Sequence, residues 1–478
     1  MIKPSGMRYL LFFCTLFVAL QLTAQRVVVS DELPLRNDIS YDVIGELKGR
    51  ILLFRNRPDK FEIQAFDENM RNSWSKEIEL EKRQPMVIGV NTLRDSFTIF
   101  YHHRDKGNTI IRADHFDPSA NKRQTAVLKD YGFTFFTPNF HWEHSEDRSK
   151  VLIYHIDRST FNVLVFDNAS FKLLWEKSFQ VDDYTEGVEQ FHMLVSNEGN
   201  MYMTIEKDNV ASRRDKHRFD LLTCGVGVTS VNTLSIFMQE RVTYDVKFVI
   251  DNLNQRFCAG GFYFERNIER AEGYFHLSIP MNELTNQHLR FHPFDDGFVS
   301  DLEGKEIKQN RGLLEVGIHN IILRKDGGML IFGEENRNTT RFSSTVPRMG
   351  FDNVSRSTID YYYNDIFAIS IHPDGEEHWK KVLYKKQYSQ DDDGAYSSFF
   401  LFKTPSNLRL IFNDEIKFEN TVSEYLVKGT GDNERHSLLS TELLKLRLRF
   451  RDAIQISGDK MVVPSERRGQ LRVAKIIL

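Results

Sequence analysis

Residues 166–175 read FDNASFKLLW, a short polar turn between a strand-like run that ends at Phe166 and a second run that ends at Trp175. The same Phe-Asp pair occurs at Phe66-Asp67 and Phe116-Asp117, so it recurs at intervals of 50 residues. A later version, IHPDGEEHW at 371–379, again leads into a tryptophan. A period of this size is typical of chains that repeat one small unit of strands. The repeat predicts an architecture, and by itself it predicts no activity.

Each unit divides into strands. An apolar run, a tight polar turn and a second run rich in aliphatic and aromatic residues form the pattern of a β-hairpin. Eight such hairpins are predicted, at 42–54, 86–101, 139–156, 191–205, 246–263, 318–333, 398–413 and 453–463. In several units a third strand and the Phe-Asp type of turn follow. Four antiparallel strands per unit, repeated radially, make a β-propeller. We therefore predict an all-β fold with eight blades, and seven blades as the alternative.

The two ends of the chain are predicted to close the ring. The last unit, 453–478, has only three predicted strands, and the run RVVVS at 26–30 would supply its outer strand. This pairing would cover two sheet edges at once. Residues 264–315 and 336–360 do not divide cleanly into strands. Residues 437–450 fit an amphipathic helix as well as a strand.

Residues 1–24 are predicted to be a signal peptide. A positively charged start precedes the 12-residue apolar run at 9–20, which is too short to span a bilayer, and the expected cut follows Ala24. A lipoprotein anchored at Cys14 and a retained signal anchor are the alternatives. Residues 25–478 are predicted to form a single propeller domain, exported to the periplasm or the outer cell surface. No transmembrane segment is predicted after signal cleavage.

Composition argues against several classes of function. With 63 Lys and Arg against 67 Asp and Glu, the net charge is -4, so no nucleic-acid partner is predicted. Beyond the signal peptide only Cys224 and Cys258 remain, and they form either a disulfide or two buried thiols. The acidic clusters at 391–394 and 295–301 lack the spacing of an EF-hand, which favours solvated turns. No metal site, cofactor or catalytic residue is predicted.

Loop lengths predict which face carries function. In a four-stranded blade, the turns between strands one and two and between strands three and four lie on one face. Connections between strands two and three, and between blades, lie on the other. The first group is short throughout, whereas the second includes long polar segments at 207–218, 265–273, 334–360 and 415–437. Long, divergent loops on a rigid scaffold often hold binding sites, although tolerated insertions are the alternative.

Two of these loops are cationic in an acidic chain. The candidate binding residues are Arg213, Arg214, Lys216 and Arg218 in one loop, Arg341, Arg348 and Arg356 in another, and Tyr362 directly after it. Brought together at one mouth, they would bind an anionic glycan or an acidic protein. Ordinary solvated charge is the alternative for the arginines, and a buried strand position is the alternative for the tyrosine.

Short motifs carry resemblances to known families. The Asp167 turn followed by Lys172-Leu173-Leu174-Trp175 resembles the repeat of quinoprotein-type propellers. Few tryptophans and no adjacent-cysteine disulfide imply the non-catalytic branch of that fold, such as envelope-assembly scaffolds. HPDGEEHW at 372–379 is similar to the Asp-box of sialidase-like propellers, with its glycine one position early. YYYNDI at 361–366 and DDDGAYSS at 391–398 resemble exported propeller proteins of Bacteroidetes.

Two functional hypotheses follow. The first is an exported, non-catalytic binding or scaffold protein of the cell envelope, which binds an envelope protein or an anionic glycan through the long-loop face. The alternative is a hydrolase or lyase acting on polysaccharide, with a carboxylate and an arginine or tyrosine in the central funnel. Two funnel carboxylates about 5–10 Å apart would favour the enzyme.

Overall fold

A computed structural model describes residues 25–81, 85–266, 269–307, 311–343, 356–416 and 421–478. The predicted signal peptide lies outside these residues and stays a prediction. Eight four-stranded antiparallel sheets form a ring, so the predicted propeller of eight blades is confirmed. We number the blades 1 to 8 along the chain from residue 40. The β labels follow the order of the chain, whereas the words strand one to strand four refer to the position of a strand within its blade, counted from the centre of the ring outward.

The first four blades follow one another without insertion. Their strands are, for blade 1, β3 (Ser40–Leu47), β4 (Arg50–Asn56), β5 (Phe61–Phe66) and β6 (Asn72–Ile78); for blade 2, β7 (Met86–Leu93), β8 (Ser96–Asp105), β9 (Asn108–Phe116) and β10 (Lys122–Phe133); for blade 3, β11 (His141–His144), β12 (Lys150–Asp157), β13 (Thr160–Asp167) and β14 (Lys172–Gln180); for blade 4, β15 (Phe191–Val195), β16 (Met201–Lys207), β17 (Arg218–Cys224) and β18 (Asn232–Phe237).

Blades 5 to 8 follow, and short additional strands occur beside blades 5, 6 and 8. Their strands are, for blade 5, β19 (Val242–Asp251), β20 (Arg256–Phe264), β22 (Gly273–Pro280) and β23 (His288–Pro293); for blade 6, β25 (Val316–Leu323), β26 (Met329–Ser343), β27 (Arg356–Ile371), β28 (Glu377–Leu383) and the short β29 (Gln387–Gln390); for blade 7, β30 (Phe400–Lys403), β31 (Asn407–Asn413), β32 (Thr421–Lys428) and β33 (Asn433–Ser440); for blade 8, β34 (Ile454–Gln455), β35 (Lys460–Arg467), β36 (Gln470–Ile477) and β1 (Arg26–Val29), with β2 (Leu33–Pro34) beside β36. A two-stranded sheet of β21 (Arg270–Ala271) and β24 (Leu313–Leu314) links blades 5 and 6.

The N-terminal strand closes the ring, as predicted. Strand β1 pairs antiparallel with β36, from Arg26 opposite Ile477 to Val29 opposite Ala474. Just beyond it, Ser30 is buried and exchanges hydrogen bonds with Val473, through its N–H at 3.0 Å and its hydroxyl at 2.9 Å. The outer edge of the last blade is therefore covered by the start of the described chain.

Apolar side chains from facing blades form the core. Leu52, Phe54 and Ile63 of blade 1 pack in one cluster with Phe97 and Ile99 of blade 2, and each is no more than 1% exposed. Burial of each such side chain contributes about 1.5–3 kcal/mol. Because both faces of a blade are covered in this way, the strands are rich in aliphatic and aromatic residues throughout.

The Phe-Asp repeat has a structural role. Asp67, Asp117 and Asp167 begin the turns between the third and fourth strands of blades 1 to 3, and each carboxylate accepts two backbone N–H groups of its own turn. The preceding phenylalanines are buried. Trp175 and Trp379 each donate an indole N–H to a carbonyl of the next blade, at 2.9 and 3.0 Å. The motif therefore shapes turns and joins neighbouring blades.

The structure also corrects the sequence analysis. Residues 437–450 do not form a helix, because β33 runs to Ser440 and an irregular segment follows. The α-helix found among the described residues is α1 (Asp296–Glu303), where a solvated turn had been predicted. Asp295 caps it by accepting the Phe298 N–H at 2.8 Å, so this acidic cluster marks the start of a helix.

Cys224 and Cys258 are both buried and unjoined, so the buried-thiol alternative is confirmed. Burial raises the pKa of the Cys258 thiol to about 12, which makes it chemically inert at neutral pH. No helix in the described part of the chain is long and apolar enough to cross a membrane.

Candidate functional site

The connections divide between two faces as expected. One face of the ring carries the connections from strand two to strand three and the connections from one blade to the next, and we call it the loop face. The opposite face carries the turns from strand one to strand two and from strand three to strand four, and we call it the turn face. The predicted long loop at 334–360 is largely an extension of strands β26 and β27 beyond the body of blade 6. The other long connections predicted from the sequence belong to blades 4, 5 and 7.

The cationic loop of blade 4 is partly neutralised from within. Arg213 lies 3.0 Å from the Asp208 carboxylate, and Arg218 lies 3.5 Å from the same group and 3.0 Å from Asp220. Arg213 remains exposed, and so does Lys216. The solvated alternative thus accounts for much of the charge in this loop.

Arg214 connects this loop to blade 5. Its guanidinium donates to the Glu265 carbonyl at 2.7 Å. Beside this contact is a cavity of about 490 Å³, in which Arg241 lies over the Phe291 and Tyr263 rings at 4.3 and 5.3 Å. Arg241 also pairs with the Glu265 carboxylate at 2.9 Å. The cavity therefore combines aromatic rings with paired charges.

The second cationic group lies on the extended hairpin of blade 6. The Arg341 guanidinium contacts both carboxylate oxygens of Asp360, and one of these two contacts is 2.7 Å long. The Tyr388 hydroxyl donates a hydrogen bond to the same carboxylate at 2.7 Å. Arg337 lies 4.6 Å above the Tyr362 ring, which is 5.1 Å from the Tyr388 ring. Tyr362 is half-buried in a strand, as the alternative expected.

The candidate residues fall into two groups. Arg213, Arg214, Lys216 and Arg218 belong to blade 4, whereas Arg341, Arg356 and Tyr362 belong to blade 6, with blade 5 between them. Arg356 is the first residue of β27, and Arg348 lies outside the described residues. The prediction that both loops form one cationic mouth, and the prediction that each group binds a ligand, stay predictions.

Sequence analysis missed an apolar feature of the loop face. The connection between blades 2 and 3 carries Phe133, Phe135 and Phe136, and the last two are 85% and 90% exposed. Other large apolar side chains exposed on this face are Ile39, Met86, Val188, Val210 and Leu443. In the sequence, the run FTFF at 133–136 breaks the alternation of apolar and polar residues that is typical of a half-buried strand. This break is the sequence feature from which the exposed phenylalanines could have been predicted.

The segment 133–136 is held in place by the hairpin that strands β8 and β9 form in blade 2. The Thr134 N–H donates to the Gly107 carbonyl at 3.1 Å, and the Thr134 and Thr109 hydroxyls are 2.7 Å apart. The Phe133 ring packs so closely on Gly107 that a Cβ there would lie 2.6 Å from it. Phe135 and Phe136 therefore extend from a fixed support, and we call residues 133–136 the phenylalanine tip.

A cavity of about 580 Å³ lies on the loop face where blades 8 and 1 meet. The Tyr41 hydroxyl donates to Glu466, and Arg449 contacts Glu466 at 2.6 Å and Asp452 at 2.5 Å. Burial and the neighbouring Asp452 charge raise the pKa of Asp42, which lines the same cavity. Carboxylates, an arginine and a tyrosine thus meet at the junction of blades 8 and 1, and the predicted site in the central funnel stays a prediction.

The acidic run at 391–394 is a structural turn between blades 6 and 7. Asp391 accepts the Ile359 N–H at 2.8 Å, and Asp392 accepts the Ser389 hydroxyl at 2.7 Å. Arg447 lies 3.3 Å from Asp392. Across the described ranges, no group of three His, Cys, Asp or Glu residues is placed to hold a metal ion.

The fold and the loop face define the chain as an eight-bladed β-propeller. No protein-family model matches this chain, and no curated protein does. Among solved structures it is similar to the Dos1 propeller, at 9% identity over 94% of this chain and 95% of that one, with a TM-score of 0.46. BamB from Moraxella catarrhalis gives 11% identity over 95% of this chain and 100% of that one, with a TM-score of 0.39.

The polysaccharide lyase Uly1 is a third similar structure, at 9% identity over 84% of this chain and 93% of that one, with a TM-score of 0.38. All three scores and identities are low. These similarities therefore say nothing about a partner or an activity, and function has to be argued from the site.

Proposed function

We propose that this protein is an exported binding or scaffold protein of the cell envelope, and that its loop face docks on a partner protein. The phenylalanine tip is the observation that supports this most strongly. Two phenylalanines that are 85% and 90% exposed on a fixed support leave their apolar surface in contact with water. Large exposed apolar residues of this kind mark interaction sites.

The tip is too small to be the whole interface. Two phenylalanine side chains provide about 150–250 Å² each, whereas a stable interface buries about 800 Å² on each partner. Ile39, Met86, Val188 and Leu443 are exposed on other connections of the same face, where a partner that covers the face would also contact them. A partner that covers this face with the tip as its anchor matches this distribution better than a polar glycan does.

In vivo crosslinking tests this proposal. A photo-reactive amino acid at position 136 should give a discrete adduct with one envelope protein, and the change F135S should weaken that adduct by at least tenfold. The matched control is position 253 on the turn face, where Leu253 is 70% exposed. Equal adducts at positions 136 and 253, or adducts with glycan alone, would contradict docking of a protein through the tip.

A second candidate function is that of a hydrolase or lyase acting on polysaccharide. It is favoured by the 580 Å³ cavity, where Tyr41, Asp42, Arg449 and Asp452 meet. A carboxyl whose pKa is raised can serve as a general acid, and Asp42 has that property. Incubation with a panel of envelope polysaccharides would have to release fragments, with D42N inactive and still able to bind them. No release from any substrate would exclude this candidate in favour of the scaffold.

A further inference from the structure

The blade 6 hairpin extends beyond its own blade. Strand β25 pairs with β26 only from Met329 to Glu335 of β26. On its other side, β26 stays paired with β27 as far as Ser343. On the far side of β27, β29 covers the positions from Asp360 to Tyr363. In the described part of the chain, β26 therefore has a neighbour on only one side after Glu335.

Backbone N–H and C=O groups of β26 point outward on this free side. Asn336 donates its N–H to the Glu315 carbonyl at 2.7 Å, on the side away from β27. Backbone groups of successive residues alternate in direction along an antiparallel strand, so those of Asn338 and Thr340 point the same way. The Ile359 carbonyl, opposite Thr340, accordingly faces β29, where it accepts the Asp391 N–H at 3.0 Å.

The backbone of this segment is regular enough to accept an added strand. The register of β26 against β27 is unbroken from Asn336 to Ser343, and the sequence there contains no proline. Residues 336–341 are all exposed. A regular, exposed strand edge of this kind is a template for an added strand.

The side chains beside the edge carry charges of both signs. A cavity of about 450 Å³ lies at the base of the hairpin, and its charged lining consists of Arg270, Lys305, Arg337, Lys385 and Lys386 with Glu303, Glu315, Glu335 and Asp365. Further along the edge, Asp360 is buried beneath Arg341, whose side chain is 58% exposed. Arg337 is also paired, with the Glu315 carboxylate at 3.7 Å, and its side chain is 48% exposed. Both guanidinium groups therefore have one carboxylate partner within the protein and still present a large part of their surface to solvent, where a carboxylate of an added strand can contact them.

We propose that an extended, acidic segment of a partner protein adds to this edge as a β-strand. The inference rests on the proposed function, since it names the element of the loop face that holds the partner. A second copy of this chain is a poorer occupant, because it would bring its own Arg337 and Arg341 to an edge that already carries both of these arginines. A glycan has no row of N–H and C=O groups with the repeat of a strand.

Peptide binding tests the proposal. The probe is a capped heptapeptide that alternates glutamate with threonine and valine, and its control carries lysine in place of glutamate. The acidic probe should bind the chain that starts at Gln25 and should slow amide hydrogen exchange in residues 336–343 by at least tenfold. The lysine control should not. Unchanged exchange in 336–343 would overturn strand addition.

Three variants separate the backbone and charge contributions. T340P removes an N–H that points to the free edge and should weaken binding of the acidic probe by at least tenfold, whereas T340V keeps that N–H and should bind normally. R337E should reverse the preference between the two peptides. Equal binding by T340P and T340V, with both folded, would contradict the proposal. The crosslink at position 136 would persist in that case, so failure here is distinguishable from failure of the proposed function.

Discussion

A lysine and a glutamate meet inside blade 6. The Lys385 ammonium lies 2.6 Å from the Glu334 carboxylate, and their side chains are 1% and 3% exposed. The ammonium also donates to the Tyr363 carbonyl and the Gln387 side chain at 2.9 Å each, and the Ser398 hydroxyl donates to Glu334 at 2.6 Å. This network fixes the base of the extended hairpin, because its four participating side chains are buried and hydrogen-bonded to one another or to the backbone.

We expect the K385M variant to be destabilised by about 3–5 kcal/mol, because it leaves the Glu334 charge buried without a partner. The double variant K385M/E334Q should recover part of that loss. The measurement is the free energy of unfolding in urea. The matched control is K428M, which breaks the exposed Lys428–Glu434 pair and should change stability by about 0–1 kcal/mol. Equal effects of K385M and K428M would contradict a structural role for the buried pair.

At the scale of the element, turn chemistry explains why the blades could be predicted. Each Phe-Asp turn combines a buried phenylalanine with a carboxylate that accepts N–H groups two to four residues later. Met70, Ala120 and Phe171 adopt left-handed backbone in these turns, with φ of 57°, 56° and 55°. These preferences are local, so they leave a readable trace in the sequence.

Closure of the ring depends on one short element. Val27 and Val29 of β1 pack in the core between blades 7 and 8, and Val28 packs in the core between blades 8 and 1. A chain that starts at Asp31 should therefore lose about 3 kcal/mol of stability and should aggregate through the edge of β36. Thermal melting and sedimentation check this, with a chain that starts at Gln25 as the control. An unchanged melting temperature would show that β1 is dispensable.

At the scale of the whole molecule, buried histidines set the response to acid. Burial lowers the pKa of His102, His276 and His319 to about 4. Between pH 6.5 and 4 the unfolded chain therefore binds more protons than the folded one. Stability should fall as the pH falls through this window, and it should be unaffected by these groups above it.

The predicted size of this effect is about 2 kcal/mol for each histidine between pH 7.5 and 5. We expect H276N to show a smaller drop in unfolding free energy over that range than the natural chain, measured in urea at both pH values. The control is H436N, because the His436 side chain is 50% exposed. An identical pH dependence in H276N and H436N would contradict the assignment.

The sequence by itself determined the blades. Alternating hydrophobicity, turn residues and a 50-residue spacing are local properties, so eight hairpins and the closing strand could be placed without coordinates. The irregular regions could not, since helix α1 is joined to blade 6 by the Lys380–Asp295 ion pair at 2.6 Å and the extended hairpin depends on neighbouring strands. The sequence also did not reveal that Arg341 pairs with Asp360, because this partner lies on the neighbouring strand, 19 positions along the chain.

Tertiary structure decided which side chains meet. Tyr41 and Glu466 are 425 positions apart in sequence, yet they are hydrogen-bonded because the ring brings blades 1 and 8 together. The exposure of Phe135 and Phe136, and the free edge of β26, likewise follow from where neighbouring elements stop. Propensity and periodicity act over a few residues, whereas a cavity or a docking surface is made by elements that only closure of the ring places side by side.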